Sequence, residues 1–528
     1  MIQRNTLPIA MVCVFVTLAI GLFLRPLTPI DETRYMAVAW EMYQSGDWFV
    51  PTKNFAAYSD KPPFLFWAIN LMWLITGVSE FSARLVGPIM ACVALWLTSV
   101  LGRRLWPDER AIGNGAALAL AGLVVFVTSG SLTMFDVPLT VATLLGLIAL
   151  TAARDDDIGG RRLWPWAGFG AAIALGVLIK GPVILFHLLP AAILLPLWSR
   201  DFVSWKKLPL RIGFGLLVGL ALLSLWLVPA VITGGQEYRD AILWQQSAGR
   251  LADSFAHARP WWFYLSILPL LTFPLLWSPT LWKAGAQTSW RADGGLMLCV
   301  IWPVGALILF SLASGKQVHY LLPELPALAL IAARLGFNRQ NFSLLPAIIV
   351  MGLLALLAIL AGAGLISLGR AQTLFQPRSM LLVWALLIIS ICWLAFRWRG
   401  LAAAAVLSLG TILVSNLQIG LTDASEMYSA DPIAAILAPK QADGLAFVGD
   451  RYHAEFNFAA RLTSPVAELD QDLAAIKAWV AQHPQGMLVG RVDLIEMPWA
   501  PMQTILFRNR EYGIWSAANA PKTDAGES

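Results

Sequence analysis

The sequence predicts a polytopic α-helical membrane protein that closes with a small C-terminal α/β domain, and three observations predict it. Of 528 residues, 58% are hydrophobic and only 13% charged, far from the balance of a soluble chain. Apolar runs of about 17–22 residues recur from the N-terminus to about residue 420, long enough as helices to cross ~30 Å of hydrocarbon. Beyond that point hydropathy falls, and short apolar runs flank one stretch with helical periodicity.

Taken in order, thirteen spans are expected: 7–25, 83–104, 112–130, 135–153, 165–180, 181–199, 209–230, 262–282, 294–312, 318–334, 343–367, 377–396 and 400–418. The first follows Arg4 in the manner of a signal peptide. No small-x-small cleavage site leads from it into a soluble domain, and more spans follow, so it reads as retained. The tract 165–199 divides at Lys180-Gly181-Pro182, where the Gly-Pro pair favours a turn. The run 64–75 follows Pro62-Pro63 and with its neighbours measures about 15 residues, short for a crossing. It and 35–44 before it are expected to lie on the outer face or to re-enter it.

Charge supports this map. Lys and Arg crowd the short loops that follow every second span, as at Arg103-Arg104, Arg161-Arg162 and Lys206-Lys207. The positive-inside tendency makes those loops cytoplasmic. Counting 64–75 as a span would invert them all. The outer face then holds the loop 26–82, the turn 130–136, the loop 231–261, the turn 314–319, the segment 368–376 and the C-terminal domain, 421–528. In that domain "GLAFVG", "GMLVG" and "TILFRNREYGIW" read as strands. "DASEMYSADPIAAILAPK" reads as a linker and a helix, "YHAEFNFAARL" as helix or strand, and "ELDQDLAAIKAWVAQH" as a helix. The tail "AANAPKTDAGES" is expected to be disordered.

Several chemistries are excluded. No phosphate-binding glycine loop, H-E-x-x-H, serine elbow or metal-ligand spacing is present. The four cysteines, Cys13, Cys92, Cys299 and Cys392, fall inside apolar runs and read as buried small hydrophobes. The 24 tryptophans collect near span ends, as an interfacial belt does. A net charge of +5 reflects orienting loops rather than a nucleic-acid partner.

What stands out is a set of polar residues sharing the outer face. Asp136 opens a helix in "TMFDVPLT", so it could be an N-cap. A carboxylate beside hydrocarbon still costs several kcal/mol (~3) unless it faces protein or water. Asp31 and Glu32 follow the first span, and Glu32 also suits a helix start. Lys61 in Lys-Pro-Pro could snorkel, as could Lys316 in "SGKQVHYLLPELP"; Arg250 could meet lipid headgroups. With Tyr35 and Tyr320 beside them, they suit a phosphate or pyrophosphate at headgroup depth, with the carboxylates orienting an acceptor or acting as base.

The stretch "DETRYMAVAWEMYQSGDWFVPTKNFAAYSDKPPFLFW" resembles the first outer loop of GT-C type membrane glycosyltransferases that use polyprenyl-phosphate sugars. These are bacterial relatives of the protein O-mannosyltransferases, above all the lipid A aminoarabinose transferases. "TMFDVPLT", "LIKGP" and "SGKQVHYLLPELPALALI" continue the likeness through most of 7–340. The resemblance implies a catalytic domain over 1–420 with about thirteen helices and a periplasmic domain after it. It makes Asp31 and Asp136 the catalytic acids and assigns the donor phosphate to Lys61, Arg250, Tyr35 and Tyr320. Glu32, Lys316 and His319 are possible additions. It implies inversion at the anomeric carbon, undecaprenyl phosphate as leaving group and no required metal. The protein would be an inner-membrane monomer with its site in the periplasm. Lipid A or lipopolysaccharide is the expected acceptor, with another surface glycan or protein hydroxyls as alternatives. A lipid-linked-sugar flippase would instead want mid-membrane charges and paired broken helices.

Overall fold

The computed structural model describes residues 5–156, 162–199, 205–242, 258–336, 342–369 and 375–521. Among the described residues, nine helices are long and apolar enough to cross a membrane. They include Thr6–Leu24, Glu80–Leu105, Asp136–Arg154, Trp205–Thr233, Gly294–Leu312 and Val318–Gly336. The pair Ala111–Ala121 and Val124–Gly130 makes a tenth if its 74° bend is one broken span. The expected break at Lys180 is present: Trp164–Lys180 ends there, Gly181 adopts φ +79°, and Ile184–Ile193 follows. Both flanking helices are shorter than a full crossing.

The expected span 262–282 is not one helix. Phe263–Leu271 carries Pro269, then Pro274 and Pro279 interrupt, giving a single 3-10 turn at Leu275–Trp277 and a short helix at Pro279–Ala286. Pro269 is carried inside the first helix, whereas Pro274 and Pro279 each fall at a break, where a missing backbone donor favours ending the helix. The cysteines also divide: Cys299 and Cys392 are buried, whereas Cys13 is exposed on the outward side of the first helix.

Trp164–Lys180 is held close to Trp205–Thr233 by small residues. A Cβ on Gly170 would lie 2.1 Å from the Gly215 carbonyl oxygen, so the two backbones approach in a way only glycine permits. This contact fixes the helix that ends in Lys180.

Between the first two long helices lie two shorter helices, Asp31–Ser45 and Phe64–Thr76. The second buries Leu65, Phe66, Ile69 and Trp73 and leaves Leu71, Leu74 and Ile75 exposed. At 13 residues it is too short to cross. A two-stranded hairpin, β1 (Thr52–Lys53) and β2 (Ala56–Ala57), separates them. Its turn residues Asn54 and Phe55 both have positive φ, as a two-residue hairpin turn requires.

The C-terminal part forms a five-stranded sheet, ordered β4-β3-β5-β7-β6. Its strands are β3 (Leu445–Val448), β4 (Ala467–Glu468), β5 (Met487–Arg491), β6 (Gln503–Phe507) and β7 (Arg510–Ser516). β3 runs parallel to β4 and β5; β7 is antiparallel to β5 and β6. Alternation along β3 sends Leu445 and Phe447 to a cluster with Tyr452 and Phe456. Ala446 and Val448 go to another with Ile476 and Trp515. Both faces are thus covered, which is why "LAFV" is apolar throughout. The helix Leu473–Gln482 starts where Asp472 accepts from the Ala474 and Ala475 N–H groups. The segment 452–462 is neither helix nor strand but a run of turns, with its aromatics buried between sheet and outer loop. Ala517–Asn519 makes a 3-10 turn, and 522–528 lie outside the described residues.

This sheet unit docks on the loop 26–82. Trp40 Nε1 donates to the Leu462 carbonyl at 2.9 Å, and Asn457 Nδ2 donates to Glu41 Oε1 at 3.0 Å. Asn54 exchanges two 2.8 Å hydrogen bonds with the Val466 backbone, and Trp73 stacks on Phe458.

Candidate active site

The site is built where the first long helix stops. A helix end leaves carbonyls without partners. Here Arg84 Nη1 donates to the Leu22 and Arg25 carbonyls at 3.1 and 2.9 Å. Arg25 in turn donates to both oxygens of Glu32, at 2.6 and 3.3 Å, and to the Ser131 carbonyl. Glu32 also accepts from the backbone N–H groups of Thr28 (2.9 Å) and Thr133 (2.7 Å). Burial alone would raise its pKa, but Arg25, Arg84 and the Thr133 N–H outweigh that and hold it at about 2. Glu32 is therefore a buried clamp joining the first span, the first outer helix and the 130–136 turn.

Asp31, one residue earlier, has the opposite environment. Its side chain is 49% exposed, and its Oδ1 accepts from Arg34 and, at 3.4 Å, from the Tyr35 hydroxyl. Burial, with the Asp31 charge, pushes the Tyr35 phenol well up, so it stays a donor. The Tyr35 ring meets Phe135 edge-on at 4.9 Å, and Lys61 Nζ lies 5.8 Å from the same Phe135 ring centre. The next residue is Asp136.

Asp136 is buried, the first residue of its helix, and its Oδ1 lies 2.5 Å from Lys180 Nζ. Lys180 also sits 4.5 Å above the Tyr320 ring, a cation–π contact. His319 packs on Tyr320 at 5.2 Å, within electrostatic reach of Asp136, Lys180, Lys61 and Asp31. One surface thus brings together Asp31, Tyr35, Lys61, Asp136, His319 and Tyr320, around Lys180.

Other expected site residues fall elsewhere. Arg250 lies outside the described residues. Lys316 is buried and donates to the Ala313 carbonyl and, at 3.0 Å, to that of Arg259, so it braces its own loop. Glu32 is occupied by four donors. Sequence reasoning missed Lys180 and Arg34. Lys180 reads as a turn residue because Gly-Pro follows it, although the same span count carries that turn to the outer face. Arg34 stands three residues after Asp31, a spacing at which helical side chains meet. Also missed is a buried ionisable pair within the apolar bundle, His187 Nδ1 and Glu324 Oε1 at 2.5 Å.

The model of the dolichyl-phosphate-mannose-protein mannosyltransferase family matches residues 60–228. An undecaprenyl phosphate-alpha-4-amino-4-deoxy-L-arabinose arabinosyl transferase from Pseudomonas aeruginosa is 33% identical over 404 residues, covering 73% of this chain and 71% of the relative. A second such transferase, from Pseudomonas fluorescens, is 30% identical over 480 residues and covers 88% of this chain and 81% of its own. In fold, the crystal structure of ArnT from Cupriavidus metallidurans bound to undecaprenyl phosphate matches with a TM-score of 0.74 at 20% identity, covering 99% of this chain and all (100%) of that one.

Fold and relatives together define a multi-pass membrane glycosyltransferase that uses an undecaprenyl-phosphate-linked sugar. Within that class, the chain belongs to the undecaprenyl phosphate-alpha-4-amino-4-deoxy-L-arabinose arabinosyl transferase family.

Proposed function

We infer that this chain moves 4-amino-4-deoxy-L-arabinose from undecaprenyl phosphate to a phosphate of lipid A, at the periplasmic face of the inner membrane. The observation that carries this reading is the meeting of Asp31, Lys61 and the Asp136–Lys180 pair on one surface, in a chain of this family. Lysine- and arginine-rich loops between the spans support a cytoplasmic face opposite the sheet unit.

The chemistry follows from the charges. A phosphate oxygen of the acceptor attacks the anomeric carbon as the bond to the donor phosphate breaks. The leaving undecaprenyl phosphate takes the electron pair, and the sugar inverts. Lys61 and the Tyr320 hydroxyl meet the negative charge that develops on the leaving group. Asp136 pairs with Lys180 and holds it in place over Tyr320. An acceptor phosphate is already ionised near neutral pH, so it needs no base. Asp31 then orients the reactants through Arg34 and Tyr35 rather than removing a proton.

The match to protein mannosyltransferases favours one competing acceptor, a protein hydroxyl. Purified enzyme in nanodiscs, given the undecaprenyl-phosphate amino sugar, separates the two. Lipid A should gain one aminopentose by mass, while dephosphorylated lipid A and a serine- and threonine-rich peptide gain none. Transfer to the peptide alone would overturn the reading.

A further inference from the structure

A group of cations lies between the outer loop and the sheet unit, apart from the Asp136–Lys180 contact. Docking of the sheet unit carries Lys53 Nζ to 3.3 Å from the Tyr452 carbonyl. Tyr452 stands between Arg451, whose side chain is exposed, and His453. The His453 backbone N–H donates to Glu455 Oε2 at 2.8 Å, and Glu455 Oε1 is 3.6 Å from Arg508. Arg34, which holds Asp31, acts on both His453 and Lys53. Two parts of the chain far apart in sequence therefore bring Arg34, Lys53, Arg451 and Arg508 within electrostatic reach of one histidine.

The field there is one-sided. Burial, then Arg34, Lys53, Arg451 and Arg508, push the His453 imidazole down to about 4, so it is neutral at physiological pH. Carboxylates offset part of this charge: Asp31 pairs with Arg34, and Glu455 stands 3.6 Å from Arg508. Burial pushes the Glu455 carboxyl up. Glu468 and Asp60 act on Lys53. Gathering like charges around a half-buried ring opposes docking unless an anion offsets them.

We propose that Arg34, Lys53, Arg451, His453 and Arg508 form the binding site for an acidic group of the acceptor, a phosphate monoester carried on its saccharide. This rests on the transfer reading above and names how that site selects its acceptor. The donor phosphate has a different place. It hangs on a polyprenyl chain and reaches the site from the spans, where Lys61 lies over Phe135 and Lys180 over Tyr320. The rim at His453 is on the sheet unit and faces a ligand that arrives by its polar head. Arg34 links the two, with its guanidinium on Asp31. Arginine is suited to this because its fork binds phosphate oxygens in pairs.

The test uses full-length enzyme in neutral phosphatidylcholine nanodiscs, comparing wild type with an Arg451→Ala/Arg508→Ala double variant. The KM for lipid A carrying both phosphates should rise about tenfold or more, the scale of lost charge-assisted hydrogen bonds. kcat and the donor KM should stay as in wild type. A donor KM that rises in step, or no change in either KM, would overturn the proposal. A second measurement does not depend on transfer: the His453 ring is titrated by NMR with inorganic pyrophosphate as probe. Binding at the rim should raise the histidine's pKa in wild type and not in the double variant. If wild type fails to glycosylate lipid A yet the histidine responds, the transfer reading falls and the anion site stands. If transfer proceeds but neither the lipid A KM nor the histidine moves, the anion site falls alone.

Discussion

Lys180 Nζ lies 2.5 Å from Asp136 Oδ1, joining the last residue of one helix to the first residue of another. Neither charge has water enough to stand alone, with 12% and 3% of the two side chains exposed. Removing either partner leaves the other buried and uncompensated, which costs roughly 3–5 kcal/mol. Lys180→Met and Asp136→Asn should each lower the thermal midpoint markedly. The double variant should recover most of that stability while remaining inactive. Additive losses would show that the two groups do not pair.

The adjacent acids should separate function from folding. Asp31→Asn should abolish transfer with the thermal midpoint unchanged, because Asp31 is half-exposed and braces nothing beyond Arg34 and Tyr35. Glu32→Gln should do the reverse, losing stability while any folded fraction keeps its turnover. Transfer assays normalised to folded protein, beside melting curves, distinguish the two.

Glu32 also predicts an acid-labile window. Its folded pKa of about 2 lies below the ordinary 4.5, so its contribution is complete above 4.5 and disappears as pH falls toward 2. That contribution is about 3 kcal/mol. Melting curves between pH 5 and pH 2 (about the span of the two pKa values) should steepen in wild type relative to Glu32→Gln. Parallel curves would contradict the clamp.

The docking of the sheet unit depends on Glu41. Its carboxylate accepts from the Asn54 and Phe55 N–H groups, both at 2.8 Å, and from Asn457 at 3.0 Å. Glu41→Ala strands three donors, of which Asn457 is buried, and a buried donor without a partner costs about 1–3 kcal/mol. Hydrogen exchange should then accelerate together over 52–57 and 452–462. Unchanged protection in either segment would show that the two are not coupled.

Tyr320 carries a ring contact and a hydroxyl that can be separated. Tyr320→Phe keeps the ring under Lys180 and should raise the donor KM while leaving the melting curve alone. Tyr320→Leu should add a loss of about 0.5–2 kcal/mol in stability. Equal effects from both variants would remove the cation–π contact from the account.

Most of the scaffold could be read from the chain because membrane spans are long, local and apolar. Charge parity alone carries Asp31, Lys61 and Asp136 to one face. It needs 64–75 to be a surface helix, and the structure gives that helix 13 residues with one face buried. What escaped depends on contacts distant in sequence. Glu32 resembles any acid at a helix start until Thr133, 101 residues away, donates to it. Lys180 is hidden by the turn it opens. The run 262–282 is apolar enough for a span, and only its spaced prolines break it. "YHAEFNFAARL" has no period because its aromatics pack in two directions, on the sheet and on the outer loop.

The most direct test of the central claim compares wild type and Asp31→Asn in nanodiscs, with the undecaprenyl-phosphate amino sugar as donor and lipid A as acceptor. Transfer is followed by mass, and undecaprenyl phosphate binding is measured on the same samples. Wild type should add the amino sugar to lipid A; Asp31→Asn should add none while binding undecaprenyl phosphate as tightly as wild type. Transfer by Asp31→Asn at the wild-type rate would contradict the assignment.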